Sequence, residues 1–395
     1  MNDFDFINPT RIVFGRDKEK EVGSLFASYG LKNILIVYGS DRIEKNGLLK
    51  KATDSLDEAG VKYTLFSGIR PNPTIQKARE GVELAKKLQI DALLAIGGGS
   101  PIDTAKEIAA GYYYDGDPFD FNLKKAKPKK SLPVGVILTH ASAGSESSDS
   151  AVIQDDVTKI KLGFNNNWNR PLFAIENPKL TFDVSPFQTA CGIVDSMMHS
   201  LERYFNPSPE FCVADDFALS VVKQIYEAGK KVMENPRDYE ARGALMLLSS
   251  LSHDGLTGIG KSSVFVVHPL EHALSGYCPS LAHGAGIALV YPAWARHVLP
   301  RDVAKFAHLA EYVFNISEQD ETKRAIIGIA TMEEFFSSLG MPSSFADVGL
   351  TEKDIPALIN IVTGNGTRVI GCCHQSLDEK DIGEIYSSLL RRRPL

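Results

Sequence analysis

Apolar residues in the first half of the chain gather into short runs separated by amphipathic stretches. RIVF from Arg11, NILIVY ending at Tyr38, VKYTLF from Val61, DALLAIG from Asp91 and PVGVILT from Pro133 to Thr139 are rich in β-branched residues and bounded by Gly, Pro or polar positions, which predicts strands. Lys18 to Tyr29 (ended by Gly30), Gly47 to Ala59 and Thr74 to Leu88 instead repeat apolar positions at helical spacing. Strands alternating with helices imply βαβ units and a parallel sheet covered on both faces. Past about Leu180 the helical period dominates, as in ADDFALSVVKQIYEAGKKVM and RDVAKFAHLAEYVF, after a start at Pro186 that Asp183 or Ser185 would cap. The expected organisation is an α/β domain over residues 1–180 and an all-helical domain over 181–395.

Phosphate chemistry in such a sheet belongs at the carboxyl ends of strands, where helix N-termini present free N–H groups. Two turns qualify. One is Tyr38-Gly39-Ser40-Asp41-Arg42, and the other is Gly97-Gly98-Gly99-Ser100, followed by Pro101 and the helical IDTAKEIAA. Three glycines let backbone amides approach an anion, and Pro at a helix start costs no hydrogen bond. A tight turn with no ligand also explains the glycines. Neither GxGxxG after the first strand nor a P-loop lysine pattern is present. Asp103 either caps its helix locally or reaches a ligand.

The second half holds HPLEHALSGYCPSLAHGAGIALVYP, from His268 to Pro292. With Pro269 in a first helical turn, His268 and His272 project from one helical face, and His283 follows a loop that can fold back. Upstream, Asp195 and His199 repeat the four-residue spacing in an apolar setting. One histidine on an apolar helix is ordinarily a core residue with a partner. A carboxylate and up to three imidazoles together also suit Zn²⁺ or Fe²⁺, and no paired thiolates point to a closed structural zinc site. The Gly-rich turns lie in the first domain and these residues in the second, so a cleft between the two is the expected active site.

Composition narrows the partners. A formal charge of −6 argues against nucleic acid, and the lysines of Lys124 to Lys130 read as a solvated loop. Five cysteines without a CxxC pair fit a reducing compartment. No apolar run approaches the ~18 residues that span a bilayer and no signal pattern opens the chain, so cytoplasm and no membrane are expected. The short, exposed RIVF run invites pairing with a second copy, hence a homodimer.

GGGSPIDTAK at Gly97–Lys106, THASAGSESS at Thr139–Ser148, GIVDSMMHSLERYF around Asp195, and HPLEHALSG with LAHGAGIALVYP resemble the iron-containing (group III) alcohol dehydrogenases, most of all their butanol dehydrogenase and aldehyde reductase branch. The resemblance implies a Rossmann-like domain joined to an all-α metal-binding domain, the architecture shared with dehydroquinate synthases. It implies that Asp195, His199, His268 and His283 hold one divalent metal, Fe²⁺ or Zn²⁺, with His272 beside them as the candidate catalytic proton carrier. Gly97, Gly98, Gly99 and Ser100 would line the cofactor pyrophosphate, with Asp103 nearby. Thr139, Ser142, Ser145 and Lys161 would flank the dinucleotide. Ala143 stands where family versions carry Thr. At the adenosine end, beyond Gly39 and Ser40, Arg42 suits a 2′-phosphate and Asp41 opposes one, so the cofactor is NAD or NADP. The implied reaction is hydride transfer between NAD(P)(H) and a primary alcohol or short aldehyde. The alternatives are a glycerol or other polyol dehydrogenase, whose pattern has Lys at the Ser100 position, a dehydroquinate synthase-like lyase, whose metal set has Glu for Asp195, and a non-catalytic metal-binding scaffold.

Overall fold

In the computed structural model, which describes residues 1–39, 41–209, 212–262, 264–371 and 376–391, the five apolar runs all become strands. In chain order the strands are β1 (Arg11–Phe14), β2 (Asn33–Tyr38), β3 (Lys62–Phe66), β4 (Ala92–Gly97), β5 (Val134–Leu138), β6 (Ser150–Gln154), β7 (Lys161–Asn165) and β8 (Phe173–Glu176). Six of them form one sheet in the order β1-β8-β5-β4-β2-β3, with every neighbouring pair parallel. β6 and β7 make a separate antiparallel pair. The sequence reading did not anticipate β6, β7 or β8. FAIE of β8 is only four residues long, too short for its apolar run to be distinguished from a buried turn.

The sheet unit's helices are α1 (Val22–Ser28), α2 (Arg42–Lys45), α3 (Leu48–Glu58), α4 (Ile75–Leu88) and α5 (Gly99–Gly111). Strand alternation divides the core in two. Leu35 and Val37 of β2 pack with Ala78, Val82, Ile102 and Ile108 of α4 and α5, while Ile34, Ile36 and Tyr38 pack on the other face with Phe26, Ala52 and Leu56 of α1 and α3. Both faces are thus covered, which is why the strands read as nearly continuous apolar runs. After β2 the chain steps outward to β3 and then returns through α4 to β4 on the opposite side of β2. That reversal is a topological switch point, and it opens a crevice at the carboxyl ends of β2 and β4.

Beyond residue 184 come α6 (Pro186–Tyr204), α7 (Val213–Glu234), α8 (Tyr239–His253), α9 (Val267–Tyr277), α10 (His283–Val298), α11 (Val303–Phe314), α12 (Glu321–Ser338), α13 (Ile355–Thr363) and α14 (Glu379–Ser388). Of the two candidate caps for α6, Ser185 serves, its Oγ accepting from the Gln188 amide at 3.2 Å. The far end of α6 is closed by lysines: Lys261 Nζ donates to the Tyr204 carbonyl at 2.9 Å, Lys305 Nζ donates to the same oxygen, and both ammoniums pair with Asp215. Phe205, Trp294 and Phe306 pack just beyond, the Phe205 ring centroid 5.3 Å from that of Trp294 and 4.4 Å from that of Phe306.

The chain forms two compact units, and it crosses between them more than once. Met1–Phe6, Ser185–Pro236 and Gly255–Leu395 belong to the helical unit, and Ile7–Val184 with Arg237–Asp254 to the sheet unit. The inserted segment is α8. Its Met246 joins the core on the α4–α5 face, and its Gly243 lies where an added Cβ would come within 3.0 Å of the Phe14 ring. Among the described residues no helix is long and apolar enough to cross a membrane.

Candidate functional site

In the helical unit, α6, α9 and the first turn of α10 bring the predicted ligands together. Pro269 lies in the first turn of α9, as the spacing required. A single oxygen, Asp195 Oδ1, faces His199 Nδ1 at 3.7 Å, His268 Nε2 at 3.6 Å and His283 Nε2 at 3.5 Å. These separations are too long for hydrogen bonds and suit donors arranged around a common centre. Asp195, His199 and His268 are buried, and His283 is partly so. His268 Nε2 is buried without a hydrogen-bond partner among the described residues. A buried lone pair facing a carboxylate oxygen is unfavourable unless a cation lies between them, so the donor set fits a divalent metal.

Electrostatics agree. Burial alone would raise the Asp195 carboxyl, but the imidazoles of His199, His283 and His268 outweigh it and hold the group far below the ordinary carboxylate range. Burial alone would lower the His268 imidazolium; Glu202 and Asp195 instead push it up to about 9. The site therefore favours positive charge, which protons supply when no metal does.

The His272 ring centroid lies 5.3 Å from that of His283 and 6.1 Å from that of His268, and His272 clusters with Glu271 and His283. Phe265 packs on the other side, 5.0 Å from His268 and 6.1 Å from His199, as an apolar wall.

Two glycines set the depth of His283. An added Cβ at Gly284 would lie 2.2 Å from the Cys191 carbonyl oxygen of α6, and one at Gly286 would lie 2.8 Å from the Glu271 side chain of α9. The HGAGIA sequence thus lets α10 press against both other ligand-bearing helices at once. Sequence reasoning missed the two acids that complete the arrangement. Glu202 on α6 contacts His268 Nδ1, and Glu271 on α9 contacts His283 Nδ1; both are buried. Their signal was available: Glu202 follows Asp195 by seven residues and His199 by three, and Glu271 follows His268 by three, so each shares a helical face with a predicted ligand.

In the sheet unit, Gly39, Gly97 to Ser100 and Thr139 stand at the carboxyl ends of β2, β4 and β5. Gly39 directly follows β2, and Gly97 ends β4 with φ +159° and an added Cβ only 2.5 Å from Pro101, so glycine is required there. Gly98 is the N-cap of α5 and offers no side-chain cap, which leaves the first amides, from Gly99 and Ser100 onward, for a ligand. The Thr139 amide donates to the Gly97 carbonyl at 2.9 Å, and Arg42 Nη2 donates to Thr139 Oγ1 at 3.3 Å, joining the ends of β4, β5 and α2. Asp41 pairs with Lys45 on the exposed surface. Ser40 lies outside the described residues, as do Cys372 and Cys373.

Asp103 is committed within the protein. It accepts from Ser145 Oγ at 2.5 Å and from the Val152 amide at 3.1 Å. Lys106, fully buried, donates to Ser145 Oγ at 3.0 Å and to the Ser148 and Ser150 carbonyls at 3.1 and 2.8 Å; burial lowers its ammonium to about 8. Lys161 opens β7 and donates to Asn72 Oδ1 at 3.0 Å. The loop carrying Ser142 and Ser145 is held from beneath by α8: Ser249 Oγ donates to the Ser142 carbonyl at 2.9 Å, and Ser250 Oγ donates to Glu146 at 2.5 Å and Glu176 at 3.1 Å. Nothing in the α8 sequence announced that role.

The family model for iron-containing alcohol dehydrogenase matches residues 9–178, and that for the Fe-containing alcohol dehydrogenase family, C-terminal, matches residues 189–390. The chain belongs to the iron-containing alcohol dehydrogenase family. It is 37% identical to NADH-dependent butanol dehydrogenase A of Clostridium acetobutylicum, over 98% of this chain and 99% of that one. It is 33% identical to the NADPH-dependent aldehyde reductase YqhD of Escherichia coli, over 95% and 96%. The crystal structure of NADH-dependent butanol dehydrogenase A from Thermotoga maritima superposes with a TM-score of 0.94 at 33% identity, covering 99% of each chain.

Proposed function

We propose that this protein is an NAD(P)(H)-dependent alcohol dehydrogenase and aldehyde reductase that exchanges a hydride between nicotinamide C4 and a primary alcohol or short aldehyde, of the size of butanol or butanal. The observation that carries the reading is the convergence of three imidazoles on one buried oxygen of Asp195 in a member of this family. Asp195, His199, His268 and His283 hold one divalent ion, Fe²⁺ or Zn²⁺, for which mixed imidazole and carboxylate donors are suited. When bound, that ion would supply Lewis acidity toward the substrate oxygen.

The chain's own residues do the rest. Asp195 contributes the formal negative charge of the ligand set, and the Phe265 ring keeps its neighbourhood apolar. His272 accepts the alcohol proton at a ring nitrogen and returns it in the reductive direction. The free amides at the start of α5 receive the pyrophosphate, the side chains of Thr139, Ser142, Ser145 and Lys161 flank the dinucleotide, and the nicotinamide supplies the redox chemistry. The relatives carry both NADH-dependent and NADPH-dependent names. Arg42 suits a 2′-phosphate, and Lys45 offsets the charge of Asp41 that would oppose one, so both cofactors are accepted. A lyase of the dehydroquinate synthase kind is not favoured, because the carboxylate here is Asp.

β1 lies at the edge of the sheet, paired only with β8 among the described strands, and its exposed side joins a second copy in a homodimer working in the cytoplasm. The test is nicotinamide absorbance with butanal and either NADH or NADPH, after loading with Fe²⁺ or with Zn²⁺. No change under any of the four conditions would reject the reading. A monomeric mass by sedimentation at micromolar concentration would reject the dimer.

A further inference from the structure

We propose that Glu202 and Glu271 are positioning residues that fix the tautomers of His268 and His283, so that each presents Nε2 as a lone pair toward Asp195. The geometry of Glu202 is the stronger case. Its Oε1 accepts from the Val266 and Val267 amides, the latter at 2.6 Å, and its Oε2 accepts from the His268 amide at 3.1 Å while also contacting His268 Nδ1. Three backbone donors converge on one carboxylate, so that carboxylate is an acceptor on both oxygens. The imidazole atom that joins them must then also donate. One hydrogen sits on Nδ1, so it is Nε2 that offers a lone pair when a metal cation takes the place of the second proton; that atom has no hydrogen-bond partner among the described residues and lies 3.6 Å from Asp195 Oδ1.

Glu271 repeats the arrangement one helix away. It contacts His283 Nδ1, while His283 Nε2 lies 3.5 Å from the same Asp195 oxygen. Glu271, His272 and His283 also cluster closely enough to suggest a second metal group. Because the Glu271 contact uses Nδ1 and the Asp195 approach uses Nε2, that cluster is an orienting acid and its ligand, not another site. Gly286 is the concession that admits Glu271: any Cβ there would meet its carboxylate.

Glu202 has a structural duty besides. α9 begins at Val267 after Val266, which has no capping side chain, and Glu202 supplies the missing acceptor from 64 residues upstream. Replacing it therefore changes both stability and tautomer, and Glu271 is the cleaner target. Leucine at 271 fills similar space without an acceptor, whereas glutamine keeps an acceptor oxygen. The inference rests on the metal-centre reading, so the measurement must separate the two.

The test uses full-length protein with ¹⁵N-labelled histidine, in metal-free form and loaded with Zn²⁺, beside the rate of zinc loss to excess EDTA for wild type, Glu271→Leu and Glu271→Gln. The expected result in the wild type is that zinc shifts the Nε2 signals of His268 and His283 while their Nδ1 atoms remain protonated. Zinc should leave Glu271→Leu about 10- to 100-fold faster than wild type, and Glu271→Gln should stay within a few-fold. If zinc moves no histidine signal, the metal-centre reading fails. If zinc moves Nε2 but Nδ1 is unprotonated in both histidines, or if Glu271→Leu keeps the wild-type release rate, the positioning role fails while the metal centre stands. Should Glu271→Leu not fold, the wild-type tautomers alone decide.

Discussion

The two candidate binding regions are built from different materials. At the switch point of the sheet unit the functional surface is mostly backbone, with amides freed by glycines and cradled by the ends of β2, β4 and β5. In the helical unit it is entirely side chain, with one carboxylate and three imidazoles delivered by α6, α9 and α10 and two further acids holding them. A backbone site tolerates side-chain change except where a Cβ would intrude. A side-chain site tolerates backbone change but fails with a single ligand. The difference can be broken or sharpened by experiment.

The largest effect should come from the ligands. Asp195→Ala and His268→Ala should each empty the site and lower turnover by roughly a thousand-fold or more, as expected on losing the several kcal/mol a Lewis acid supplies. His272→Ala should keep its metal and change the pH dependence of the rate. Metal content by elemental analysis beside butanal-dependent NADH oxidation checks both, and an empty site in His272→Ala with a full one in His268→Ala would exchange their roles.

At the backbone site, Gly98→Val should weaken cofactor binding by about tenfold or more, or ~1.4 kcal/mol, with the metal retained. An added Cβ there also lies 3.1 Å from His140 Cβ, so a defect has two possible origins. Gly98→Ala combined with His140→Gly, which removes that Cβ, separates them by calorimetric titration with NADH. Recovery in the double variant would locate the strain inside the protein and weaken the claim that the turn faces the pyrophosphate.

A smaller effect concerns the acids beneath the loop. Burial and the adjacent Glu146 raise the Glu176 carboxyl, and burial raises Glu146. An acid raised in the folded state keeps its proton there after the unfolded chain has released it. Stability is then greatest below the ordinary carboxylate value of about 4.3 and falls as pH rises toward the raised one, at about 1.4 kcal/mol for each tenfold difference in acidity. Urea unfolding between about pH 5 and about pH 8 should show this fall, and Glu176→Gln should flatten it. A wild-type midpoint that rises across this range would contradict the assignment. The smallest change is expected for Lys45→Ala. Its pairing with Asp41 is exposed, so stability should be almost unchanged. The ratio of NADPH to NADH affinity should fall as the charge of Asp41 is uncovered, which paired titrations would detect.

The same contrast explains how much could be read from the chain. Backbone features are local: Gly97 to Pro101 announces a strand, a tight turn and a helix start within five residues, and the alternation of runs up to Thr139 gives the parallel sheet. Asp195 with His199 and His268 with His272 were picked out because each pair keeps helical spacing, and His283 because it follows them after a loop that can fold back. Glu202 and Glu271 were not singled out, although they stand in the same motifs, because spacing identifies a shared face and not which group a buried acid meets. α8 shows the same limit. Its periodicity requires a buried face, but not that Met246, Ser249 and Ser250 turn it toward the sheet unit rather than toward neighbouring helices in sequence.

The remote capping of α9 has a consequence for synthesis. An isolated helix with imidazoles four residues apart is already a passable trap for a stray ion, and unfolded histidines do bind metals. Here the first turn of α9 lacks a cap of its own and is completed only when Glu202, translated 64 residues earlier, docks against it. A nascent chain therefore cannot present His268 in its final orientation until α6 is in place, and α6 brings Asp195 and His199 with it.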